Sequence, residues 1–189
     1  FPESHAASFA YLTYASCYIK KHHPDVFVCA LLNSQPMGFY SPRALIADAQ
    51  RNKVRFLPLD IQTSEFDYTL ESAPQQMWGV RVGFRSLRGV RENQMQKLLE
   101  SRNKDGPFKT LADFARRSQL PKHVLLLLAA SGAMRSLGLT PREALWQVSA
   151  LELDHQSLLF GELREHFDQH HSGKEQIPKE SPWEELRRE

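Results

Sequence analysis

Hydrophobic residues in the first third of the chain recur at helical spacing. From Phe9 to Ile19, apolar side chains stand three or four positions apart, which predicts a helix with Ser4 as its N-cap. Pro24 ends that helix and opens a second, strongly apolar one. A Ser-Pro pair at 41–42 is typical of the start of a third. The three helices are expected over residues 4–23, 25–33 and 42–53.

The pattern changes after residue 53. Short apolar runs separated by polar residues and prolines predict strands over 54–58, 66–70 and 78–82, which form a small sheet or hairpin. Helical spacing returns from Gly83, with glycines between the segments. These helices are expected over 91–103, 110–118, 121–131 and 141–151. The predicted fold class is therefore mainly α with a small β element.

The charge of the chain is distributed unevenly. The 189 residues have a net charge of +2, but residues 81–135 hold 12 basic and 4 acidic side chains. The flanking parts are nearly neutral (1–80) and acidic (136–189). Such clustering of positive charge is the usual footprint of phosphate binding. The alternative is an ordinary solvated surface.

Several classes of protein are disfavoured by composition. No apolar run approaches the roughly 18 to 20 residues that span a bilayer, and no signal peptide is visible. The two cysteines, Cys17 and Cys29, lack metal-ligand spacing, so we expect buried thiols in a reducing cytoplasm. The histidine pairs at 22–23 and 170–171 also lack partners at ligand spacing, so no metal site is expected.

A basic hairpin is the clearest chemical feature. In the stretch VGFRSLRGVRENQMQKLLESR, residues 87–90 have the form of the turn in a helix-hairpin-helix, with Gly89 free to adopt positive φ. The next helix would offer backbone N–H groups to a phosphate. Binding of this kind holds the DNA backbone without reading bases. The alternative is a purely structural turn, because Arg91 occupies the place of a second glycine. The candidate DNA-binding residues are Arg85, Arg88, Gly89, Val90, Arg91 and Lys97.

Long stretches of the chain resemble one polymerase family. The run FPESHAASFAYLTYASCYIKKHHPDVFVCALLNSQPMGFYSP, then FLPLDIQTSEFDYTLE and HVLLLLAASGAMRSLG, are similar to the C-family bacterial DNA polymerases, the DNA polymerase III alpha subunits. The likeness is greatest to the error-prone, damage-tolerant alpha subunit. It covers residues 1–146 and, with SPWEEL, part of the end. The chain also begins abruptly without methionine, and we therefore expect a piece of a longer protein.

The resemblance implies a domain order. Residues 1–82 would be the end of the polymerase fingers, 83–151 a helix-hairpin-helix module, and 152–189 a linker with a clamp-binding segment. The palm domain, with the catalytic aspartates and their Mg²⁺, would lie upstream. The piece is thus expected to hold no catalytic residue, metal or cofactor and to be inactive alone.

The resemblance also implies a function for the parent protein. It would be an error-prone DNA-directed DNA polymerase, a nucleotidyltransferase acting in translesion synthesis and DNA repair in the cytoplasm. Its partners would be primer-template duplex, a deoxynucleoside triphosphate, the sliding clamp and other translesion proteins, with no membrane. The alternatives are a replicative alpha subunit and a non-catalytic helix-hairpin-helix scaffold.

Three further groups of residues are candidate sites. Ser4 and His5 match fingers residues near the incoming nucleotide, although capping and packing would also explain them. Asp60, Glu65 and Asp67 form a carboxylate cluster that we expect to be surface residues rather than metal ligands. A short peptide resembles the motif that binds the sliding clamp, or else a helical turn facing the core. Its residues are Gln156, Leu158, Leu159 and Phe160.

Overall fold

The mainly α fold with a small β element is confirmed. The computed structural model describes residues 2–73 and 77–151. Within these ranges the helices are α1 (Glu3–His22), α2 (Pro24–Asn33), α3 (Pro42–Arg51), α4 (Glu92–Asp105), α5 (Leu111–Ser118), α6 (Lys122–Ala130) and α7 (Pro141–Ala150). The strands are β1 (Arg55–Leu57), β2 (Thr69–Ala73) and β3 (Met77–Arg81). Short 3₁₀ turns cover Phe84–Ser86 and Arg135–Leu137.

Hydroxyl caps fix the starts of three helices. The side chains of Ser41, Thr110 and Thr140 accept hydrogen bonds from the backbone N–H groups three residues on. The predicted cap at Ser4 is wrong. The first helix begins at Glu3 after Pro2, and Ser4 lies inside its first turn, where its carbonyl accepts the Ser8 hydroxyl at 2.8 Å.

The sheet has three strands in the order β1-β3-β2. Strand β1 pairs parallel to β3, with Phe56 opposite Val80, and β2 pairs antiparallel to β3. The second strand begins at Thr69 rather than at residue 66. The carbonyls of Glu65 and Phe66 instead accept hydrogen bonds from the backbone of Phe84 and Arg85. This pairing joins the sheet to the segment that leads into the basic hairpin.

Two apolar clusters form the core. The smaller is built from α2, α3 and the sheet around Leu32, Tyr68 and Val80. The larger is built from α4 to α7 and includes Leu59 and Ile61 from the loop after β1. Val82 packs against both clusters, so the expected boundary at residue 82 falls where the two are in contact. The domain limits themselves stay a prediction.

The first helix is the exception to this packing. None of its residues is buried, and Phe9, Tyr11, Leu12, Tyr14, Tyr18 and Ile19 are all at least 40% exposed. Cys17 is exposed as well, so its predicted burial is wrong, whereas Cys29 is buried. Across 2–73 and 77–151, no helix is both long enough and apolar enough to span a bilayer.

Candidate nucleic-acid interface

The predicted hairpin turn has the expected backbone. Gly89 has φ +88°, which few residues other than glycine adopt, and the Val90 N–H lies 3.4 Å from the Leu87 carbonyl oxygen. A Cβ on Gly89 would stand 3.6 Å from Leu127 Cδ1 of α6. The turn therefore packs on the helix behind it, and its outer side faces solvent.

Two arginines with exposed side chains lie on either side of Gly89. Arg88 belongs to the turn, and Arg91 is the N-cap of α4, where its backbone N–H donates to Gln94 Oε1 at 3.0 Å. Among the described residues, neither guanidinium has an ion-pair partner. Glu92 stands in the first turn of the helix and makes its N-terminus less favourable for an anion. The arginine side chains are therefore the stronger candidates for phosphate contacts.

Arg85 has a different environment from the other two arginines. Its Nη1 lies 3.0 Å from Asp67 Oδ1 and also donates to the Asn33 carbonyl at the end of α2. Its guanidinium carbon lies 5.8 Å from the centre of the Phe66 ring, and a quarter of the side chain is exposed. Arg85 thus joins the hairpin segment to α2 and the smaller core.

Val90 and Lys97 complete the predicted set. Val90 is half-buried against the larger core. Lys97 is exposed on α4, and its Nζ lies 3.3 Å from Gln119 Oε1. Met95 and Leu98, on the apolar face of this helix, are fully buried, and Leu99 is half-buried. Because the apolar side of α4 is packed in the larger core, Lys97 on its other side faces solvent.

A buried arginine holds α4 in place. Arg102 is 9% exposed; its Nη1 donates to the Ser64 carbonyl at 2.7 Å, and its Nη2 to Glu65 Oε1 at 2.5 Å. Sequence reasoning missed this role, because a lone arginine on a charged helix has no pattern that distinguishes it from a surface residue. The result is a rigid attachment between the hairpin's second helix and the loop before β2.

The three carboxylates were predicted to be ordinary surface residues, and each has a partner within the chain. Glu65 pairs with Arg102, Asp67 pairs with Arg85, and Asp60 Oδ1 accepts the Ser136 hydroxyl at 2.7 Å. Within the described ranges no group of three metal-ligating side chains stands together. These residues do not fit the metal ions that nucleotidyl transfer needs.

The two fingers candidates lie near the start of α1. Ser4 and His5 are both exposed, and the His5 ring contacts the Phe9 ring edge-on at 4.4 Å between centroids. Their predicted role in nucleotide binding stays a prediction. The clamp-like peptide, with Gln156 and Phe160 at its ends, lies outside the described residues and also stays a prediction.

Cys29, the buried one of the two cysteines, has a shifted pKa. Burial, reinforced by the negative charges of Asp25 and Asp67, raises the pKa of Cys29 above its ordinary value. Its Sγ donates to the Tyr68 carbonyl at 3.3 Å. This environment favours the protonated form of the thiol.

Comparison with known proteins places these features in a family. The model for the helix-hairpin-helix motif matches residues 53–144. An error-prone DNA polymerase from Bdellovibrio bacteriovorus is 52% identical over 191 residues, which cover 100% of this chain and 18% of the relative. Those from Brucella melitensis and Pseudomonas aeruginosa are 44% and 45% identical, over 85% and 80% of this chain and 15% of each relative.

The comparisons settle the resemblance seen in the sequence. The chain spans less than a fifth of the length of these relatives. All three carry the name of the error-prone polymerase, which confirms that form of the resemblance over the replicative one. The chain is therefore a homologue of a segment of error-prone DNA polymerases, and its residues 53–144 match the helix-hairpin-helix motif.

Proposed function

We propose that this chain holds duplex DNA by its phosphate backbone within an error-prone DNA polymerase that acts in translesion synthesis and DNA repair. The observation that carries the proposal is the exposed turn at Gly89. It is flanked by Arg88 and Arg91 within a segment of 12 basic and 4 acidic residues. Phosphate contacts of this kind position a duplex without reading its sequence.

The geometry supports division of the candidate residues by task. Arg88 and Arg91 reach the phosphates, and the backbone around Gly89 and Val90 approaches the strand closely because glycine has no side chain there. Lys97 extends the positive surface along α4. Arg85, which pairs with Asp67, positions the turn rather than contacting DNA.

The remaining parts of the proposal concern the parent polymerase. Ser4 and His5 would face the incoming deoxynucleoside triphosphate, and residues 156–160 would bind the sliding clamp. Metal-dependent nucleotidyl transfer, with Mg²⁺, would take place at residues outside this chain, which is expected to be inactive alone. Other translesion proteins would also bind the polymerase, in the cytoplasm.

A salt series tests the proposed grip on DNA. Fluorescence anisotropy of this chain with a labelled duplex, at about 50 to 200 mM salt, should give a steep negative slope of log affinity against log salt. Arg88→Glu/Arg91→Glu should weaken binding about tenfold or more. It should also reduce the slope by about 1.8, because each lost phosphate contact accounts for about 0.9.

A control variant with the same change in charge distinguishes a specific binding site from general electrostatic attraction. Arg43 on α3 and Arg55 on β1 are both exposed, and both elements belong to the part of the chain that forms the smaller core. Arg43→Glu/Arg55→Glu should change the slope far less than the hairpin variant does. Equal losses in both variants, or no binding by the unmodified chain, would show that the hairpin is not the DNA grip.

The second candidate function is a non-catalytic DNA-binding scaffold. The helix-hairpin-helix match over residues 53–144 fits this function as well as the polymerase, because it identifies a motif and not an activity. The 52% identity over the whole chain favours the polymerase. A gene that encodes a palm with paired aspartates upstream of this segment would decide between the two.

A further inference from the structure

A second positively charged surface lies beside the hairpin. Helices α4 and α5, with the loop between them, line an open groove of about 970 Å³. Its basic lining residues are Lys97, Lys104, Lys109, Arg116 and Arg117. Its acidic lining residues are Glu100, Asp105 and Asp113. Five basic residues against three acidic residues give the lining a net charge of +2.

Two of the three acidic side chains of the groove, Asp113 and Asp105, lie against its arginines. The third, Glu100, accepts a hydrogen bond from Gln96 Nε2 at 2.9 Å. Asp113 accepts hydrogen bonds from the Lys109 backbone N–H at 3.2 Å and from Arg116 and Arg117 at 3.1 Å each. These contacts, the backbone N–H first, hold the pKa of Asp113 below its ordinary value, so it stays ionised and paired. Asp105 lies 4.0 Å from Arg117.

Two lysines of the groove remain unpaired. Among the described residues, the side chains of Lys104 and Lys109 have neither an ion-pair partner nor a hydrogen-bond partner. Both residues are exposed. A solvated ammonium group on a flexible stem is well suited to contact a phosphate as a point charge.

The floor of the groove is rigid. The Arg117 side chain is 13% exposed, and its Nη2 donates to the carbonyls of Ser101 and Gly106 at 2.8 Å each. The guanidinium also stacks 4.5 Å above the Phe108 ring. Arg117 thus fixes α5 against the end of α4, so that the groove keeps its shape before any ligand binds.

The groove continues the surface that begins at the hairpin. Lys97 and Lys104 lie seven residues apart on α4, which is about 10 Å along the helix. One strand of duplex has a phosphate about every 3.4 Å of axis, so this stripe spans about three phosphates. Arg91, at the start of the same helix, leads directly into it.

We infer that the groove between α4 and α5 binds the phosphodiester backbone of a nucleic acid, as a second contact surface beyond the hairpin. This inference rests on the proposed function. The backbone belongs either to the duplex or to the single-stranded template ahead of the primer, and the chemistry of the contact is the same. Lys97, Lys104 and Lys109 make the contact, and Arg117 positions them.

The test uses neutral substitutions in the groove. Lys104→Gln/Lys109→Gln in this chain keeps a polar, slightly shorter side chain at each position and removes two charges that pair with no described residue. Anisotropy over the salt series should show a slope reduced by about 1.8 on a blunt duplex, if the duplex supplies the backbone. If the single-stranded template supplies it, the slope should fall by about 1.4, and only on a primer-template with a 5′ overhang.

Controls make failure of this inference distinct from failure of the proposed function. Arg43→Gln/Arg55→Gln removes the same charge elsewhere, and urea denaturation checks that each variant folds. If the groove variant keeps the slope of the unmodified chain on both substrates while the hairpin variant loses binding, the inference about the groove is wrong. The proposal about the hairpin then still holds. A control that loses as much slope as the groove variant also overturns it. Unchanged binding in both the groove and the hairpin variants overturns both proposals.

Discussion

Gly83 shows how one residue fixes the approach to the hairpin. It is buried at the exit of β3, where the backbone passes the segment before β2. A Cβ there would lie 2.4 Å from both the carbonyl carbon and the carbonyl oxygen of Asp67. Only glycine permits this crossing, because the neighbouring atoms belong to backbone and are held by the hydrogen bonds of Phe84 and Arg85.

We predict that Gly83→Ala strongly destabilises the chain. The clash with backbone should lower the free energy of unfolding by about 3 kcal/mol or more, at the upper end of overpacking effects. Urea denaturation measures it, with Gly38→Ala as the matched control, since a Cβ on Gly38 meets nothing within 4 Å. Equal stability of the two variants would contradict the crossing.

Buried Arg102 shows a limit of reading charge from sequence. It belongs to the basic segment that suggested DNA binding, but its guanidinium is used inside the protein. The same is true of Arg85 and Arg117. The positive surface is therefore smaller than the charge count indicates, and it is concentrated on Arg88, Arg91 and the lysines of α4 and the loop after it.

At the scale of elements, α1 and α2 differ although both are rich in apolar residues. In α2, Val28, Cys29 and Leu32 are buried against the sheet and α3. In α1 no residue is buried, and its aromatic side chains face solvent. Burial rather than composition decides what each helix contributes to stability.

We predict opposite outcomes for substitutions in these two helices. Leu32→Ala should lower the free energy of unfolding by about 2 to 5 kcal/mol, because it leaves a cavity in the smaller core. Tyr14→Gln, at a position 71% exposed, should change it by less than about 0.5 kcal/mol. Urea denaturation compares the two. A large loss in Tyr14→Gln would mean that another surface, such as a second copy of the chain, covers α1.

At the scale of the whole molecule, the segment after β3 connects the two cores. Val82 packs against both, and Arg85 extends from the hairpin segment to Asp67 and to the carbonyl at the end of α2. The basic hairpin is therefore oriented relative to the smaller core by packing and by charge-assisted hydrogen bonds. In the proposed function, this fixed orientation would hold duplex at a constant distance from the polymerase active site.

We predict that Arg85 and Arg88 can be separated by experiment. Arg85→Met should lower the free energy of unfolding by about 1.5 to 3 kcal/mol, the range for hydrogen bonds to charged groups. It should leave the salt slope of DNA binding nearly unchanged. Arg88→Met should leave stability within about 0.5 kcal/mol and reduce the slope by about 0.9. A reduced slope with full stability in Arg85→Met would instead place Arg85 on the phosphates.

The sequence by itself determined the kinds of elements and most of their limits. Helical spacing, the Ser-Pro start at 41–42 and Gly89 are local signals, and they predicted α2 to α7 and the hairpin turn within a few residues. The family resemblance likewise depends on contiguous residues, and the comparisons confirmed it.

Only the tertiary structure decided which charges face solvent and which surfaces meet. The pairing of Arg85 with Asp67 joins residues 18 apart, that of Arg102 with Glu65 joins residues 37 apart, and α1 proved exposed despite its apolar pattern. The groove between α4 and α5 exists because Arg117 closes the loop between them. These features depend on contacts between distant residues, which no local pattern of hydrophobicity or charge encodes.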